Sequence, residues 1–375
     1  MQPTKYSLKL SIATLVFAWD WSNAFYLRLA MNDDCQTPAG HHGRCLPVKN
    51  CKYILDILHK PGFSAQDQQY LDQFRCGKLS GSRKVLTCCP EFQSVDGCGR
   101  LTLRDNIIGG QETEPDEFPW TALLVYAMGV RVFYRCGGAL IGDRYVLTAA
   151  HCVDSLGRMK LVAVRLGEWD LSTVYDCKDE EFGRSRCNKF PHRDFDIEKV
   201  FVHEGYSSTR LNKEHDIALL KLAKSAPSTD SISPICLPTV EMDSRMEPEK
   251  SLFDVAGWGA TEAGVPRSDR KRKVTLPGQN LSECQLAYEA AAVSFTENQL
   301  CVGGTVGKDS CRGDSGGPLM VIIDNRWHLA GIVSLGAVKC GMKGVPGIYT
   351  RLGSYLPWVA AKIEGADRFQ VMGSH

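Results

Sequence analysis

Sixteen cysteines in a chain of 375 residues constrain this protein more than any other feature. They make up about 4% of the chain and are even in number. Reducing compartments rarely tolerate so many thiols, whereas an exported chain can pair them all. Six of them (Cys35, Cys45, Cys51, Cys76, Cys88 and Cys89) crowd into a segment too short to bury a large core, so disulfides must staple it. Six cysteines allow fifteen pairings, and spacing does not choose among them. The adjacent Cys88 and Cys89 point in different directions and should bridge separate partners. A zinc site is disfavoured because the segment lacks paired C-x2-C knuckles.

The N-terminus fits export. Lys5 and Lys9 precede the apolar run Leu10–Trp19, which is too short to span a bilayer, and Ser22-Asn23-Ala24 offers small residues for cleavage. Residues 1–24 therefore read as a signal peptide rather than a membrane anchor. With 44 Lys+Arg against 43 Asp+Glu, the net charge of +1 speaks against a nucleic-acid-binding protein, and neither nucleic acid nor membrane is an expected partner.

Residues 90–106 read as a linker holding Cys98. From Ile107 onward short apolar runs alternate with turns, as in 122–126, 144–148, 161–165 and 331–334, and 35 glycines supply those turns. The fold class is therefore all-β, an antiparallel sandwich or barrel. Convincing helices are few, namely Leu281–Ala292 and Leu356–Ile363.

Chemistry is written in three places. Gly313-Asp314-Ser315-Gly316-Gly317 sets a serine on a tight turn, where the N–H groups of Gly313 and Ser315 can converge on a developing oxyanion. Serine needs a base, and His151 follows the β-rich run Leu147–Ala150. Asp216 heads an apolar strand, where a buried carboxylate can orient an imidazole. Each motif alone is weak, but three in the order His, Asp, Ser are specific.

With Ile107-Ile-Gly-Gly, Cys136-Gly-Gly-Ala-Leu-Ile, Pro234-Ile-Cys-Leu-Pro and Gly257-Trp-Gly, residues 107–365 resemble a trypsin/chymotrypsin-type serine protease domain. Residues 35–89 resemble the clip domain of arthropod proteases, and the whole chain is similar to insect clip-domain proteases of the easter and Grass kind. The resemblance implies a double antiparallel β-barrel behind a small stapled clip domain. It also implies the pairs Cys35–Cys88, Cys45–Cys76, Cys51–Cys89, Cys98–Cys236, Cys136–Cys152, Cys177–Cys187, Cys284–Cys301 and Cys311–Cys340.

It makes His151, Asp216 and Ser315 the catalytic triad, with Gly313 and Ser315 forming the oxyanion hole. Asp309, Ser334, Gly336 and Gly347 form a pocket for substrate Arg or Lys. Leu335 departs from the Trp usual in the family after Ser334. Cleavage between Asn106 and Ile107 would free an ammonium to pair with Asp314, yet Asn106 stands where relatives carry Arg or Lys.

Implied partners are a downstream zymogen, an upstream activating protease and serpin inhibitors. The implied setting is an extracellular (haemolymph) cascade of innate immunity, leading to Toll activation or to prophenoloxidase activation and melanization. Alternatives are a non-catalytic homologue acting as cofactor, a developmental dorsoventral cascade protease, and a digestive trypsin.

Catalysis needs no cofactor, but Glu168, Asp170, Thr173 and Asp176 lie in a loop that binds calcium in some relatives. Residues 266–273, rich in Lys and Arg, read as a solvated loop or self-cleavage site rather than a polyanion patch. Asn280-Leu-Ser282 is a candidate glycosylation site.

Overall fold

A computed structural model of the chain describes residues 30–78, 84–101, 111–179, 185–187, 191–260, 267–307, 309–311, 313–336 and 341–372. The expected signal peptide, Asn106, Ile107 and Cys340 lie outside the described residues. Among the described residues, no helix is long and apolar enough to cross a membrane.

Two antiparallel barrels dominate. The first closes in the order Arg193–Val202, Ala218–Leu222, Tyr145–Thr148, Arg131–Leu140, Thr121–Met128, Lys160–Leu166. The second runs Leu252–Gly257, Pro318–Ile323, Arg326–Leu335, Pro346–Arg351, Gln299–Gly303, Arg272–Gln279, and closes because Arg272–Gln279 also pairs with Leu252–Gly257. Closure leaves no open edge in either barrel, which suits a protein built of short strands.

Leu124, Tyr126, Leu147, Val164 and Leu219 fill the first interior. Phe253, Leu276, Val302, Leu319 and Tyr349 fill the second. The barrels meet across Trp120, whose Nε1 points at Met320 Sδ at 3.0 Å, and through Gly137 N, which donates to Ser315 O at 2.8 Å.

The N-terminal module is a four-stranded sheet in the order Asp34–Gln36, His42–Pro47, Val85–Pro90, Arg75–Lys78. Two helices that the sequence reading did not include, Lys52–Leu58 and Ala65–Asp72, cover it. The second starts at a capping box in which Ser64 and Asp67 satisfy each other's backbone N–H. The core among the described residues is small, centred on Cys51, Ile54, Tyr70, Leu71, Phe74 and Cys88, so three bridges carry much of the order: Cys35–Cys88, Cys45–Cys76 and Cys51–Cys89.

Cys98–Cys236 ties the following segment to the connection between the two barrels, where Cys236 forms a β-bridge to His328. Gly99 completes that docking: its N–H donates to Pro234 O and its carbonyl accepts from Trp327 N, and a Cβ there would sit 2.1 Å from Trp327 O. The described part of this linker is thus fastened to the barrel rather than free.

Helices differ from the sequence expectation at both C-terminal sites. Leu281–Ala287 is α-helical but gives way to a 3-10 turn over Glu289–Ala291, ended by Ala292 at φ +52°. The last helix runs Leu356–Met372, well past Ile363. Glu364 and Asp367 on it explain the extension, because each is engaged by groups far away in the chain.

Glu364, fully buried, accepts from Thr37 Oγ1 at 2.5 Å and contacts His41 Nδ1 at 2.8 Å. Asp367 meets His41 Nε2 at 3.2 Å, Lys221 Nζ at 2.9 Å and Tyr145 Oη at 3.0 Å. The N-terminal module is thereby clamped to the C-terminal helix through His41.

Its hydrogen bonds to Asp367 and Glu364 hold the His41 imidazolium, raising its pKa from 6.5 to about 9. A raised folded pKa gives stability that is fully present below about pH 6.5 and fades as pH rises through about 9. His41→Ala should therefore lower the melting temperature more at pH 6 than at pH 9.5. Equal losses in thermal melts at the two pH values would refute a charged clamp.

Candidate functional site

The strand Tyr145–Thr148 leads straight into a 3-10 turn, Ala150–Cys152, that carries His151 to the rim of the first barrel. The Cys136–Cys152 bridge fixes that turn to the neighbouring strand. Asp216 lies just before strand Ala218–Leu222, after His215 at φ +60°.

Pairing of Ala218 with Thr148 places the two residues side by side. The fully buried Asp216 carboxylate accepts from His151 N at 2.9 Å and meets His151 Nδ1 at 2.7 Å. That contact assigns the proton to Nδ1 and leaves Nε2 as the basic nitrogen.

Ser315 comes from the other barrel, on the turn before strand Pro318–Ile323, and shares one cleft with His151 and Gly313. Gly313 at φ +104° holds that turn in a conformation favouring glycine. The structure thus brings His151, Asp216, Gly313 and Ser315 together at the seam. Such an arrangement can activate a hydroxyl for attack on a carbonyl and return the proton to a leaving group.

Ser334 supports the acid through its side chain: its buried hydroxyl donates to Asp216 Oδ2 at 2.5 Å and so orients the carboxylate. Thr350, absent from the sequence reading, donates to Asp216 O at 2.9 Å.

Asp309 lies six residues before Ser315, beside the second barrel's strand Pro346–Arg351. Oδ2 accepts from Gly341 N at 3.3 Å, whereas Oδ1 is buried without a hydrogen-bond partner among the described residues. Burial pushes its pKa up to about 6. Gly347 faces it, since a Cβ there would lie 3.4 Å from Oδ1, while Gly336 borders open space.

Asp314 is a second poorly compensated carboxylate. It accepts from Gly259 N and Cys311 N, both at 2.9 Å, and burial raises its pKa to about 6. A Cβ on Gly257 or Gly259 would come within 2.3 Å of it, so a side chain at either position would displace the carboxylate. The Gly257-Trp-Gly motif carried this signal, although it entered the sequence reading only as a point of resemblance.

Cys284 bonds Cys301. Cys177 is disulfide-bonded and lies opposite Cys187 in the sheet register, and Cys311 is likewise bonded. The sulfurs of Cys136 and Cys152 lie close to the His151 ring, but they are joined to each other and offer no thiolate to a metal.

Of the four candidate calcium residues, two converge. Glu168 and Asp176, nearly fully buried, both accept from Trp169 N, at 3.0 and 2.9 Å. Thr173 Oγ1 donates to Asp176, but the Asp170 side chain turns to Arg270 and Ser172. Arg165 contacts Glu168 at 3.1 Å and supplies one positive charge for two carboxylates. Hard oxygen donors with excess negative charge fit a hard cation, which Glu168 and Asp176 would hold in a purely structural role.

The basic run is a solvated loop only in part: Arg267, Asp269 and Arg270 are exposed, but the run then enters the barrel. Arg272–Gln279 is a barrel strand, and Lys271 before it is only 2% exposed, bonded to Thr121 Oγ1 at 3.1 Å, with burial lowering its pKa to about 8. Arg270 pairs with Asp170, and Lys273 with Glu117. Charge count alone misjudged this segment because its counter-charges come from distant strands. Asn280 is exposed and caps the helix that follows, its Oδ1 accepting from Ser282 N at 2.9 Å.

The sequence matches the Trypsin family over residues 107–359 and the regulatory CLIP domain of proteinases over residues 35–89. It is 41% identical to the CLIP domain-containing serine protease B15 of Anopheles gambiae, covering 88% of this chain and 91% of that one. It is 36% identical to Melanization protease 1 of Drosophila melanogaster, covering 87% and 92%. The crystal structure of the Drosophila Grass clip serine protease of the Toll pathway matches 89% of this chain and 98% of its own, with a TM-score of 0.65 at 36% identity.

Millimolar calcium should raise the melting temperature by a few degrees, and Asp176→Asn should abolish that increment. A calcium-independent melting curve for the parent would show that Arg165, His192 and the local hydrogen bonds suffice for the two acids.

Proposed function

Because the chain belongs to the trypsin family of serine proteases and carries its regulatory clip domain, we propose that it is a catalytically competent, secreted zymogen that cuts protein substrates after Arg or Lys. Asp309 carries the specificity reading. A buried carboxylate with one unpartnered oxygen, facing a glycine, suits a guanidinium or ammonium arriving with the substrate.

Ser315 Oγ attacks the carbonyl carbon as His151 Nε2 takes its proton. The N–H groups of Gly313 and Ser315 hold the oxyanion, and the imidazolium, paired with Asp216, protonates the departing amine. Water then attacks the ester by the same route, releasing the acid and restoring Ser315. Ser334 and Thr350 act as positioning residues by fixing Asp216.

Similarity to proteases named for melanization and for the Toll pathway supports a place in an extracellular immune cascade. A zymogen would be cut downstream, and a protease and serpins would act on this chain. The exposed Asn280 suits a glycan. The buried, under-compensated Asp314 suits an ammonium at Ile107, exposed by cleavage after Asn106.

Ser315→Ala should lower kcat by at least about 10⁴-fold with the fold intact. Asp309→Ser should lower kcat/KM on arginyl substrates by about 10²–10³-fold. A parent enzyme that prefers Phe or Leu before the scissile bond would sink the pocket assignment.

For activation, trypsin should cut the parent after Arg104 and give an inactive product, because two extra residues, about 7 Å of extended chain, keep the ammonium from Asp314. Asn106→Arg should become trypsin-activatable, with N-terminal sequencing reading Ile-Ile-Gly-Gly. Full activity from a chain starting at Asp105 contradicts the ammonium mechanism.

A further inference from the structure

Ser315 borders a cleft of about 500 Å³, an arm whose lining comes mostly from the first barrel. His151 lines that arm, so the leaving amine that it protonates departs in this direction. The Cys136–Cys152 bridge and Met159 line its apolar part, and Tyr134, Arg135 and Arg267 its polar part.

We propose that this arm selects substrates with an acidic side chain within the two residues after the scissile bond, recognised by Arg135 and Arg267. The inference rests on the catalytic reading of Ser315 given above. Arg135 is exposed and has no carboxylate partner among the described residues, its guanidinium reaching only Met159 Sδ at 3.5 Å.

Arg267 stands over the Tyr134 ring at 5.6 Å, held there by a cation–π contact, and its carboxylate neighbour Asp269 is exposed and 3.6 Å away. Arg165, on the same ring at 5.2 Å, is by contrast fully engaged by Asp194 and Glu168 and serves the fold. The acid in the cleft, Asp154, already accepts from Ser155 Oγ. Asp154 and Asp269 balance Arg135 and Arg267 in number, but Arg135 has no carboxylate partner among the described residues, so a carboxylate placed there meets a planar donor free to pair with it.

The test uses the full chain activated to an Ile107 N-terminus and quenched-fluorescence peptides with Arg before the bond. Asp, Ala or Lys is placed at each of the two following positions. Wild-type kcat/KM should favour Asp over Lys by about tenfold in at least one of these positions, and less at high salt.

The Asp-to-Lys ratio should fall toward one in Arg135→Gln/Arg267→Gln and invert in Arg135→Glu/Arg267→Glu. Taking the ratio within each preparation cancels any loss of folded enzyme. A flat wild-type ratio, or one unchanged in the glutamine variant, overturns the inference while leaving catalysis standing. No hydrolysis of an arginyl p-nitroanilide, which has no residue after the bond, would overturn the catalytic reading and this one with it.

Discussion

The buried carboxylate of Asp216 is the interaction on which the two barrels depend. The first barrel supplies the carboxylate and, through His151 N and Nδ1, two of its partners. The second supplies Ser334 Oγ to the carboxylate and Thr350 Oγ1 to the carbonyl. Burying a carboxylate costs several kcal/mol unless its lone pairs are met. The barrels therefore have one relative placement that satisfies it, and that placement also brings Ser315 to His151. Gly137 N on Ser315 O pins the same seam.

Asp309 and Asp314 follow the opposite rule. Both are half-buried residues with under-compensated carboxylates, and desolvation pushes both pKa values up to about 6. A fold that tolerates such costs keeps them where an incoming cation relieves them. Under the proposed function, a substrate side chain would relieve Asp309 and a chain terminus Asp314, so recognition and activation would draw on one electrostatic device. The glycines at 257, 259 and 347 make room for it.

Two fastenings integrate the N-terminal module. One is covalent, Cys98–Cys236, reinforced by the backbone bonds of Gly99. The other is ionic, with His41 between Glu364 and Asp367, while Asp367 also holds Lys221 of the first barrel. The C-terminal helix is thus a shared support for the small module and the protease.

The sequence by itself determined what depends on residue type and local order. The three catalytic motifs, the stapled N-terminal segment, the β texture of residues 122–126 and 331–334, and the resemblance that proposed the bridges were all legible. Tertiary structure alone decided which charges are buried and with whom. Lys271 reads as solvated until Thr121, 150 positions away, is seen against it. That Arg270 takes the Asp170 carboxylate and that the Ser334 hydroxyl lies on Asp216 are equally invisible in the sequence. Periodicity reports neighbours along the chain. The free energy of a buried charge or hydroxyl is set by partners brought from other strands, and only the closed barrels fix those.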